Sequence, residues 1–381
     1  MVEWKKLGEI GDVCMCKRIM KNETSKEGEI PFYKIGTFGK KADAYISKAL
    51  FEDYRSRFSY PKQGDILISA AGTIGRSVIF NGENAYFQDS NIVWINNNES
   101  IVSNRFLFYI YQVVDWKTDG GTIKRLYNYN LKNTEIPIPP LSEQNRIVGI
   151  LDTFTESIEN LKKQITERKK QYEHYRDQLL DIEGKPGVEM KALLDILSQP
   201  ITDGPHETPK FYDSGIPFIS ADAIVNNRIN FTRKRGYISE EYNNLCKKKY
   251  SPRLYDVYVV KSGSTTGKVA IVTEMCDFNI WSPLAALRAN DNNNPFYIFY
   301  WLQTKKAQNQ ILLKCSKGSQ PNLSMRVLEK FIIPVPQLSE QNRIVSILDT
   351  FEASIANLEQ QLTHRQKQYE YYRNMLLTFD E

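Results

Sequence analysis

The sequence has few of the side chains that bind metals or form disulfides. Its 381 residues include three histidines and five cysteines, and no two cysteines form a C-x-x-C pair. An odd cysteine count without such pairs does not predict a disulfide framework, and so few histidines do not predict a zinc site. These absences argue against metal-dependent chemistry. We expect the chain in the cytoplasm, because its sequence shows neither a membrane span nor an apolar signal core.

Long apolar runs and a strong charge of one sign are also absent. No stretch approaches the roughly 18 apolar residues that cross a bilayer, and the first residues lack an apolar signal core, so we expect no membrane partner. Lysine and arginine total 50 against 45 acidic residues, and the resulting +5 is too small to establish a nucleic-acid partner. The length, with 41% hydrophobic and 25% charged residues, predicts two or more folded domains.

An internal duplication organises the chain. Residues 137–180 return as residues 334–377, with 30 of 44 positions identical. The preceding segments correspond weakly, for example at 30–32 with 216–218 and at 104–106 with 294–296. The sequence therefore predicts two diverged globular domains, each followed by a nearly unchanged segment. The expected boundaries are 1–140 and 184–337 for the globular domains, and 141–183 and 338–381 for the repeated segments.

The repeated segments are predicted to be long helices with a narrow apolar seam. Ser142 and Ser339 are the expected N-caps, each followed by an acidic residue that suits the positive helix end. Apolar residues then recur at alternating four- and three-residue steps, which favours a coiled coil over an ordinary amphipathic helix. Two separate helices, each packed on its own domain, remain the alternative. The seam positions are Ile147, Leu151, Phe154, Ile158, Leu161, Ile165, Tyr172, Tyr175 and Leu179, with Ile344, Leu348, Phe351, Ile355, Leu358, Leu362, Tyr369, Tyr372 and Leu376 in the second copy.

The two helices are expected to pair antiparallel with each other, because each seam needs a partner of matching length. Centring the pairing on Leu161 and Leu358 places Arg168 opposite Phe351. The same register places Arg365 opposite Phe154. Each guanidinium then stacks on a ring instead of lying unpaired in the seam.

The globular domains are predicted to be α+β, with short strands and aromatic-rich helices over 105–114 and 295–303. A glycine loop lies between two strands in each domain, at 72–75 and 263–267. A tight turn that uses glycine for positive φ is one interpretation, and contact with a phosphate or a base edge is the other. The residues proposed for such contact are Thr73, Arg76, Ser264, Thr265 and Lys268.

A polar, glycine-led segment follows each aromatic helix and differs in side chain between the domains. Lysine and arginine suit phosphate or guanine, whereas glutamine and asparagine suit adenine edges. A plain surface loop is the alternative at both places. The candidates are Thr122, Lys124, Arg125, Tyr127 and Asn128 in the first domain, and Ser319, Gln320, Asn322 and Arg326 in the second. Two further segments, 34–41 with Lys34 and 199–210 with Asp203 and His206, are also possible contact loops.

The sequence contains no recognisable catalytic motif. There is no Walker A string, no histidine–cysteine cluster and no nuclease-like pair of carboxylates with a nearby lysine. The nearest match to the adenine methyltransferase motif (Asp/Asn)-Pro-Pro-(Tyr/Phe), at 294–297, lacks the second proline. We therefore expect a non-catalytic protein that binds no cofactor itself.

The whole chain resembles the specificity subunit of type I restriction-modification enzymes. The resemblance rests on the strings IPIPPLSEQ at 136–144 and IPVPQLSEQ at 333–341, which each open a long helix, and on the paired strands GDILIS and YDVYVV followed by glycine loops. In one respect the chain departs from the pattern: the first glycine loop is a residue shorter than the second, and Gly64 stands where the second domain has Tyr255. Loop roles are therefore not transferable from one half to the other.

The resemblance implies two mixed α/β target recognition domains, which each read one half of a bipartite site in double-stranded DNA. The two long helices form an antiparallel coiled coil with an internal pseudo-two-fold repeat and set the spacer between the half-sites. It also implies docking of two copies of a methyltransferase subunit, which binds S-adenosylmethionine and methylates adenine. A restriction and translocase subunit joins through that complex.

The repeat itself supports two docking sites. Several positions off the seam are identical in both copies, although a solvated face is free to diverge. Two equivalent faces that contact two copies of one partner explain this identity. The proposed contact residues are Gln144, Asn145, Arg146, Val148 and Asp152, with Gln341, Asn342, Arg343, Val345 and Asp349 in the second copy.

Two other functions remain as alternatives. A protein adaptor whose globular domains bind proteins predicts no salt-dependent DNA affinity in the assembled complex. A modification enzyme acting alone predicts methyl transfer by the isolated chain, which the absent donor loop argues against.

Overall fold

In the computed structural model the chain divides into two compact units. Unit 1 comprises 1–162 and 361–381, and unit 2 comprises 163–360. The structure describes residues 2–120, 124–274, 276–316 and 321–379. Among these residues no helix is long and apolar enough to cross a membrane.

Unit 1 combines three small sheets with short helices. A four-stranded antiparallel sheet has the order Gly11–Met15, Ile92–Asn97, Ile66–Ser69, Ser77–Ile79, and a three-stranded sheet has the order Tyr45–Ile46, Ile30–Tyr33, Tyr86–Phe87. Glu3–Lys6 pairs antiparallel with Glu135–Ile138, so the first and last strands of the globular domain are neighbours. The helices are Leu7–Ile10, Lys48–Arg57, Asn104–Ile110 and Asn128–Asn133, with a 3-10 turn at Lys21–Glu23.

Unit 2 repeats this arrangement. Its four-stranded sheet has the order Thr202–Asp203, Leu284–Leu287, Val257–Val260, Val269–Ile271, and its three-stranded sheet has the order Gly236–Ile238, Ile216–Ile219, Asn279–Ile280. Glu189–Ala192 pairs with Ile332–Val335, and a hairpin joins Ile224–Val225 to Arg228–Ile229. The helices are Glu240–Lys247, Pro295–Leu302, Lys305–Lys314 and Met325–Glu329, with 3-10 turns at Leu193–Ile196, Ala221–Ala223 and Phe231–Arg233. The α+β class predicted from the sequence is confirmed in both units.

The long helices span Leu141–Leu180 and Leu338–Leu377, 40 residues each. Both begin one residue before the expected serine, so Ser142 and Ser339 lie inside the first turn and the N-cap prediction is wrong. The carbonyl of Pro140 accepts from the backbone N–H groups of Glu143 and Gln144 instead.

Within unit 2 the two helical segments run antiparallel. Lys169 Nζ lies 2.7 Å from Glu359 Oε1, and Tyr172 donates to Glu352 at 3.2 Å, so the contact moves down one helix as it moves up the other. The guanidinium carbon of Arg168 lies 6.0 Å from the centre of the Phe351 ring. Within unit 1 that of Arg365 lies 5.5 Å from the centre of the Phe154 ring. Both predicted arginine–phenylalanine pairs are confirmed.

The helix ends belong to the cores of the globular domains. In unit 1, Ile147 and Leu151 from the first long helix and Leu377 from the second are buried in one apolar cluster with Phe106 and Tyr109. In unit 2 the equivalent positions Ile344, Leu348 and Leu180 are buried with residues such as Tyr297 and Trp301. Because these apolar side chains share one core, each globular domain is fixed to the start of one long helix and to the end of the other.

Candidate nucleic-acid interface

The glycine loop of unit 1 is a tightly built turn between two strands of the main sheet. Gly72 and Gly75 have φ values of 65° and 79°, which side chains other than glycine rarely adopt. A Cβ on Gly75 lies 2.4 Å from the indole nitrogen of Trp116, so the loop packs directly on that ring. The Ser69 hydroxyl accepts from the Arg76 N–H at 2.9 Å and closes the turn. The turn interpretation is therefore correct for the backbone, and Thr73 is exposed at its tip.

Two predicted contact residues hold neighbouring loops of unit 1 together. Arg76 Nη1 donates to the Phe38 carbonyl at 3.0 Å, which joins the glycine loop to segment 34–41. Arg125 Nη2 donates to Asn91 Oδ1 at 2.8 Å and to the Ser90 carbonyl at 3.1 Å. Both guanidiniums are half-buried, and their first role is to position loops. Their contact with a nucleic acid stays a prediction.

The remaining candidates of unit 1 lie at the same edge. The Leu126 N–H donates to the Ala70 carbonyl at 2.9 Å, which places the segment that follows the aromatic helix beside the glycine loop. Lys124, Tyr127 and Asn128 are exposed, and Lys34 pairs with Asp43 at 2.8 Å. Thr122 lies outside the described residues.

Sequence reasoning proposed Tyr127 but missed the exposed ring beside it, that of Tyr129. The rings of Tyr127 and Tyr129 are parallel within 7°, with centroids 6.0 Å apart. Asp119 accepts from the Tyr129 hydroxyl and from Asn130 Nδ2, the latter at 2.8 Å. The sequence contained one indication of this pair: two tyrosines lie two residues apart at the start of the helix Asn128–Asn133.

Unit 2 builds an equivalent edge from its own loops. The Leu323 N–H donates to the Lys261 carbonyl at 2.7 Å, and the Gly263 N–H donates to the Pro321 carbonyl at 3.0 Å. These bonds place the segment with Asn322 and Arg326 beside the glycine loop, as in unit 1. Ser264, Lys268, Asn322 and Arg326 are exposed and Thr265 is half-exposed, whereas Ser319 and Gln320 lie outside the described residues.

The segment 199–210 joins this edge through a buried carboxylate. Asp203 is 1% exposed and lies 2.5 Å from Lys249 Nζ, 3.2 Å from Lys261 Nζ and 3.2 Å from His206 Nε2. Burial acts to raise the pKa of Asp203, but the hydrogen bonds and charges of both lysines outweigh it, so its pKa lies below the usual value. The carboxylate is therefore ionised at neutral pH and fixes the segment against the sheet.

One predicted correspondence between the halves is a residue out of register. The Ser103 N–H donates to Gln144 Oε1 at 2.9 Å, and the Asn294 N–H donates to Gln341 Oε1 at the same distance. Ser103, not Asn104, is therefore equivalent to Asn294. The shared Asn-x-Phe string aligned residues that the hydrogen bonds to the helix do not align.

The glutamines at the helix starts were predicted to contact a partner, and that prediction is wrong. Gln144 is fully buried, and its Nε2 donates to the carbonyls of Ile101 and Pro139 at 2.9 and 2.8 Å. Gln341 is equally buried and donates to Pro336 and Asn293. Both side chains use their hydrogen-bonding groups to fix the globular domain to its helix. This role explains why glutamine occurs at the same position in both copies of the repeat.

Packing inside each unit also accounts for other repeated positions. Val345 is buried in the core of unit 2 and has no surface to offer a partner, so its prediction is wrong, and Val148 is half-buried against the core of unit 1. Asp152 accepts from Tyr109 and Arg105, and Asp349 accepts from Tyr300 at 2.6 Å. A partner contact by Val148, Asp152 and Asp349 stays a prediction.

Of the proposed contact residues at the helix starts, Asn145, Arg146, Asn342 and Arg343 are exposed. Arg146 pairs with Glu143 at 2.7 Å, and Arg343 pairs with Glu340 at the same distance. Asn145 and Asn342 are also exposed, although Asn342 accepts from Asn294 at 2.8 Å. These side chains face solvent in both copies, and their role in docking stays a prediction.

The described residues offer no group of three or more His, Cys, Asp and Glu side chains that could hold a metal ion. The arrangement instead presents polar loops over two similar sheets.

Comparison with known proteins gives one consistent result. The family model for the type I restriction modification DNA specificity domain matches residues 1–168 and 193–365. A putative type I restriction enzyme specificity subunit of Haemophilus influenzae is 61% identical over 180 residues, which cover 46% of this chain and 47% of that protein. This match spans about half the length of that relative. The specificity subunit of the Escherichia coli enzyme EcoR124I/EcoR124II is 32% identical over 72% of this chain and 70% of its own length.

Solved structures agree in fold. The S subunit of a type I restriction-modification system from M. genitalium superposes with a TM-score of 0.60 at 16% identity, over 100% of this chain and 97% of its own. A chain from a structure on assembly of a type I system gives 0.59 at 20% identity, over 99% and 96%.

Proposed function

The chain belongs to the family of type I restriction modification DNA specificity proteins, and on that premise we propose that each globular domain reads one half of a bipartite site in double-stranded DNA. The observation that carries the proposal is the equivalent loop edge in each unit, where the glycine loop and the segment after the aromatic helix are hydrogen-bonded side by side. The loops differ in side chain while the sheets beneath them agree. Such a difference suits two half-sites of different sequence.

The chain itself performs no chemistry in this proposal. Two copies of a methyltransferase subunit dock on the repeated helix starts, bind S-adenosylmethionine and methylate adenine. A restriction and translocase subunit joins through that complex. The exposed arginines Arg146 and Arg343 and their asparagine neighbours support two equivalent docking faces, because they face solvent in both copies and fill neither core. The long helices set the spacer between the half-sites.

The test is co-expression of this chain with its candidate methyltransferase subunit, followed by mapping of adenine methylation on genomic DNA. The expected result is a split motif with two defined halves and an undefined spacer. Replacement of 184–337 by the same domain of a relative should change one half and leave the other unchanged. A contiguous motif, or a change in both halves, would contradict the proposal.

The adaptor alternative is tested on the same complex. If the globular domains bind proteins, the assembled complex has no DNA affinity that falls with salt. Binding to duplex DNA with a steep salt dependence excludes that alternative.

A further inference from the structure

Two lysines and two tyrosines form a row on one surface of the second globular domain. Tyr212 and Tyr237 are bridged, with the Tyr212 N–H donating to the Tyr237 carbonyl at 3.0 Å. Side chains of directly bridged residues lie on the same face of a sheet. Lys210 Nζ lies 5.2 Å from the centre of the Tyr212 ring, and Lys234 Nζ lies 4.4 Å from that of Tyr237. We call these four residues the lysine–tyrosine row.

Aromatic rings leave the cations of the row available to an anion. A ring face attracts an ammonium group without neutralising its charge, so the lysine is held in place but keeps its hydrogen-bond donors. Among the described residues, neither Lys210 nor Lys234 has an ion-pair partner within 4 Å, although Asp213 follows Tyr212 in the chain. The groove beside Tyr212 is lined by Lys210, Lys248 and the carboxylate of Glu241. Among the residues that line this groove, two lysines outnumber one carboxylate.

One further cationic side chain, Arg235, follows Lys234 in the chain. Arg235 lies 5.5 Å from the centre of the Trp281 ring and 3.3 Å from Asp222. The residue after this tryptophan, Ser282, donates its N–H to the Pro205 carbonyl of segment 199–210. Segment 199–210 also contains Lys210, so one stretch of chain contributes both to the loop edge and to the row.

The first globular domain has the same backbone without the row. Pro31 pairs with Tyr45 as Pro217 pairs with Tyr237, so Tyr45 is the equivalent tyrosine. Its bridge partner is Ser25. The row is therefore a property of one half of the duplicated chain and not of the fold.

We infer that the lysine–tyrosine row binds backbone phosphates of duplex DNA that flanks the half-site read by the second globular domain. The inference rests on the proposed function and extends it: the row adds affinity that is independent of base sequence, on one side of the site only. The tyrosine rings fix the lysine positions before DNA arrives, which lowers the entropic cost of each contact.

The test compares the complex with its methyltransferase subunits in wild-type form and with the pair Lys210→Gln and Lys234→Gln. Binding is measured between 50 and 200 mM salt to a duplex that carries the site defined by methylation mapping and to an equally long duplex without it. Loss of two phosphate contacts makes the slope of log affinity against log salt shallower by about 1.8. The ratio of wild-type affinity to variant affinity should therefore fall about tenfold between 50 and 200 mM salt. Both duplexes should show the same change.

The pair Lys163→Gln and Lys170→Gln is the charge-matched control, because both lysines are exposed and lie on the first long helix, outside the globular domain. Tyr237→Leu is a second variant that keeps both charges but removes the ring under Lys234, and it should give a smaller reduction in affinity. Thermal unfolding confirms that each variant folds.

Equal salt slopes for the row variant and the control would overturn the inference while leaving the proposed function intact. A reduction confined to the duplex with the site would also overturn it, because phosphate contacts carry no base information. Absence of salt-dependent binding by the wild-type complex would overturn both.

Discussion

The guanidinium of Arg168 lies over the ring of Phe351, 6.0 Å from its centre, at the one place where the apolar seam of the first long helix is interrupted. Phe351 also stacks on Tyr175, so the arginine completes an aromatic layer of the coiled coil. A double-mutant cycle of Arg168→Ala and Phe351→Leu should give a coupling free energy of about 0.5–1 kcal/mol in the unfolding of the chain.

Lys169→Ala is the control for that cycle. Lys169 is adjacent in sequence but pairs with Glu359, so its substitution should be additive with Phe351→Leu. Equal coupling for both positions would show that the cycle reports a general loosening of the helix pair and not the cation–ring contact.

The buried glutamines should be more important for stability than their polar character suggests. Gln144→Ala leaves the Ser103 N–H and two carbonyls without a partner in a dry site, which should cost about 2 kcal/mol in the free energy of unfolding. Asn145→Ala, one residue away and exposed, should stay within about 0.5 kcal/mol of the wild type. Denaturant unfolding measures both, and a neutral Gln144→Ala would mean that water replaces the side chain.

Docking of the methyltransferase subunits should depend on each helix start separately. Arg146→Glu reverses an exposed charge in one copy and should weaken one of the two docking events at least tenfold. Arg343→Glu should do the same in the other copy, and the double variant should weaken both. Native mass spectrometry then counts two, one and no bound subunits.

Lys163→Glu, an exposed position that differs between the repeats, should leave two subunits bound. Loss of both subunits from a single arginine substitution would contradict two independent faces.

The glycine loop of unit 1 should not accept a side chain at Gly75. A methyl group there meets the Trp116 ring on a backbone of positive φ, so Gly75→Ala should cost about 1–3 kcal/mol and weaken recognition of one half-site. Gly64→Ala, on a backbone of positive φ but with no atom within 4 Å of the new methyl group, is the control for methylation and stability assays. Normal methylation by Gly75→Ala would contradict the role of the loop.

The stability of unit 2 should depend on pH through Glu352. Burial raises the pKa of this carboxyl, against the lowering effects of Arg228 and the Tyr172 hydroxyl. The unfolded chain therefore loses this proton at lower pH than the folded one, and the contribution of Glu352 to stability falls as pH rises through that interval. Glu352→Gln should raise the melting temperature relative to the wild type more at pH 8 than at pH 4.

Glu173→Gln, at an exposed position of the first long helix, is the control for replacing a carboxylate by an amide. If Glu352→Gln raised the melting temperature by the same amount at pH 4 and pH 8, the carboxyl of Glu352 would be solvated in solution.

The features that could be predicted from sequence are those that follow from the regular spacing of apolar residues and from the internal repeat. The repeat and the seam located the arginine–phenylalanine pairs, because an antiparallel register of two equal helices has few solutions. The role of Gln144 could not be predicted in this way, since an off-seam polar residue that repeats suits a partner as well as a buried hydrogen bond. The register shift at Ser103 was hidden by a local match of Asn and Phe.

The contacts that could not be predicted from sequence join residues that lie far apart in the chain. Tyr212 and Tyr237 become neighbours only through sheet pairing, and Asp203 meets Lys249 and Lys261 only in the folded domain. No local pattern marks such contacts before the topology is known.

The discontinuity of unit 1 has a consequence for the order of events on the ribosome. Unit 2 is one continuous stretch, so it can finish folding as soon as residue 360 has emerged, whereas the core of unit 1 still awaits Tyr369, Leu376 and Leu377. At about 5–20 residues per second, the nascent first domain exposes that apolar strip for roughly 10–40 s after its own sequence is complete. The half of the protein that is synthesised first is therefore the half that matures last, and premature termination leaves it with an open, aggregation-prone core.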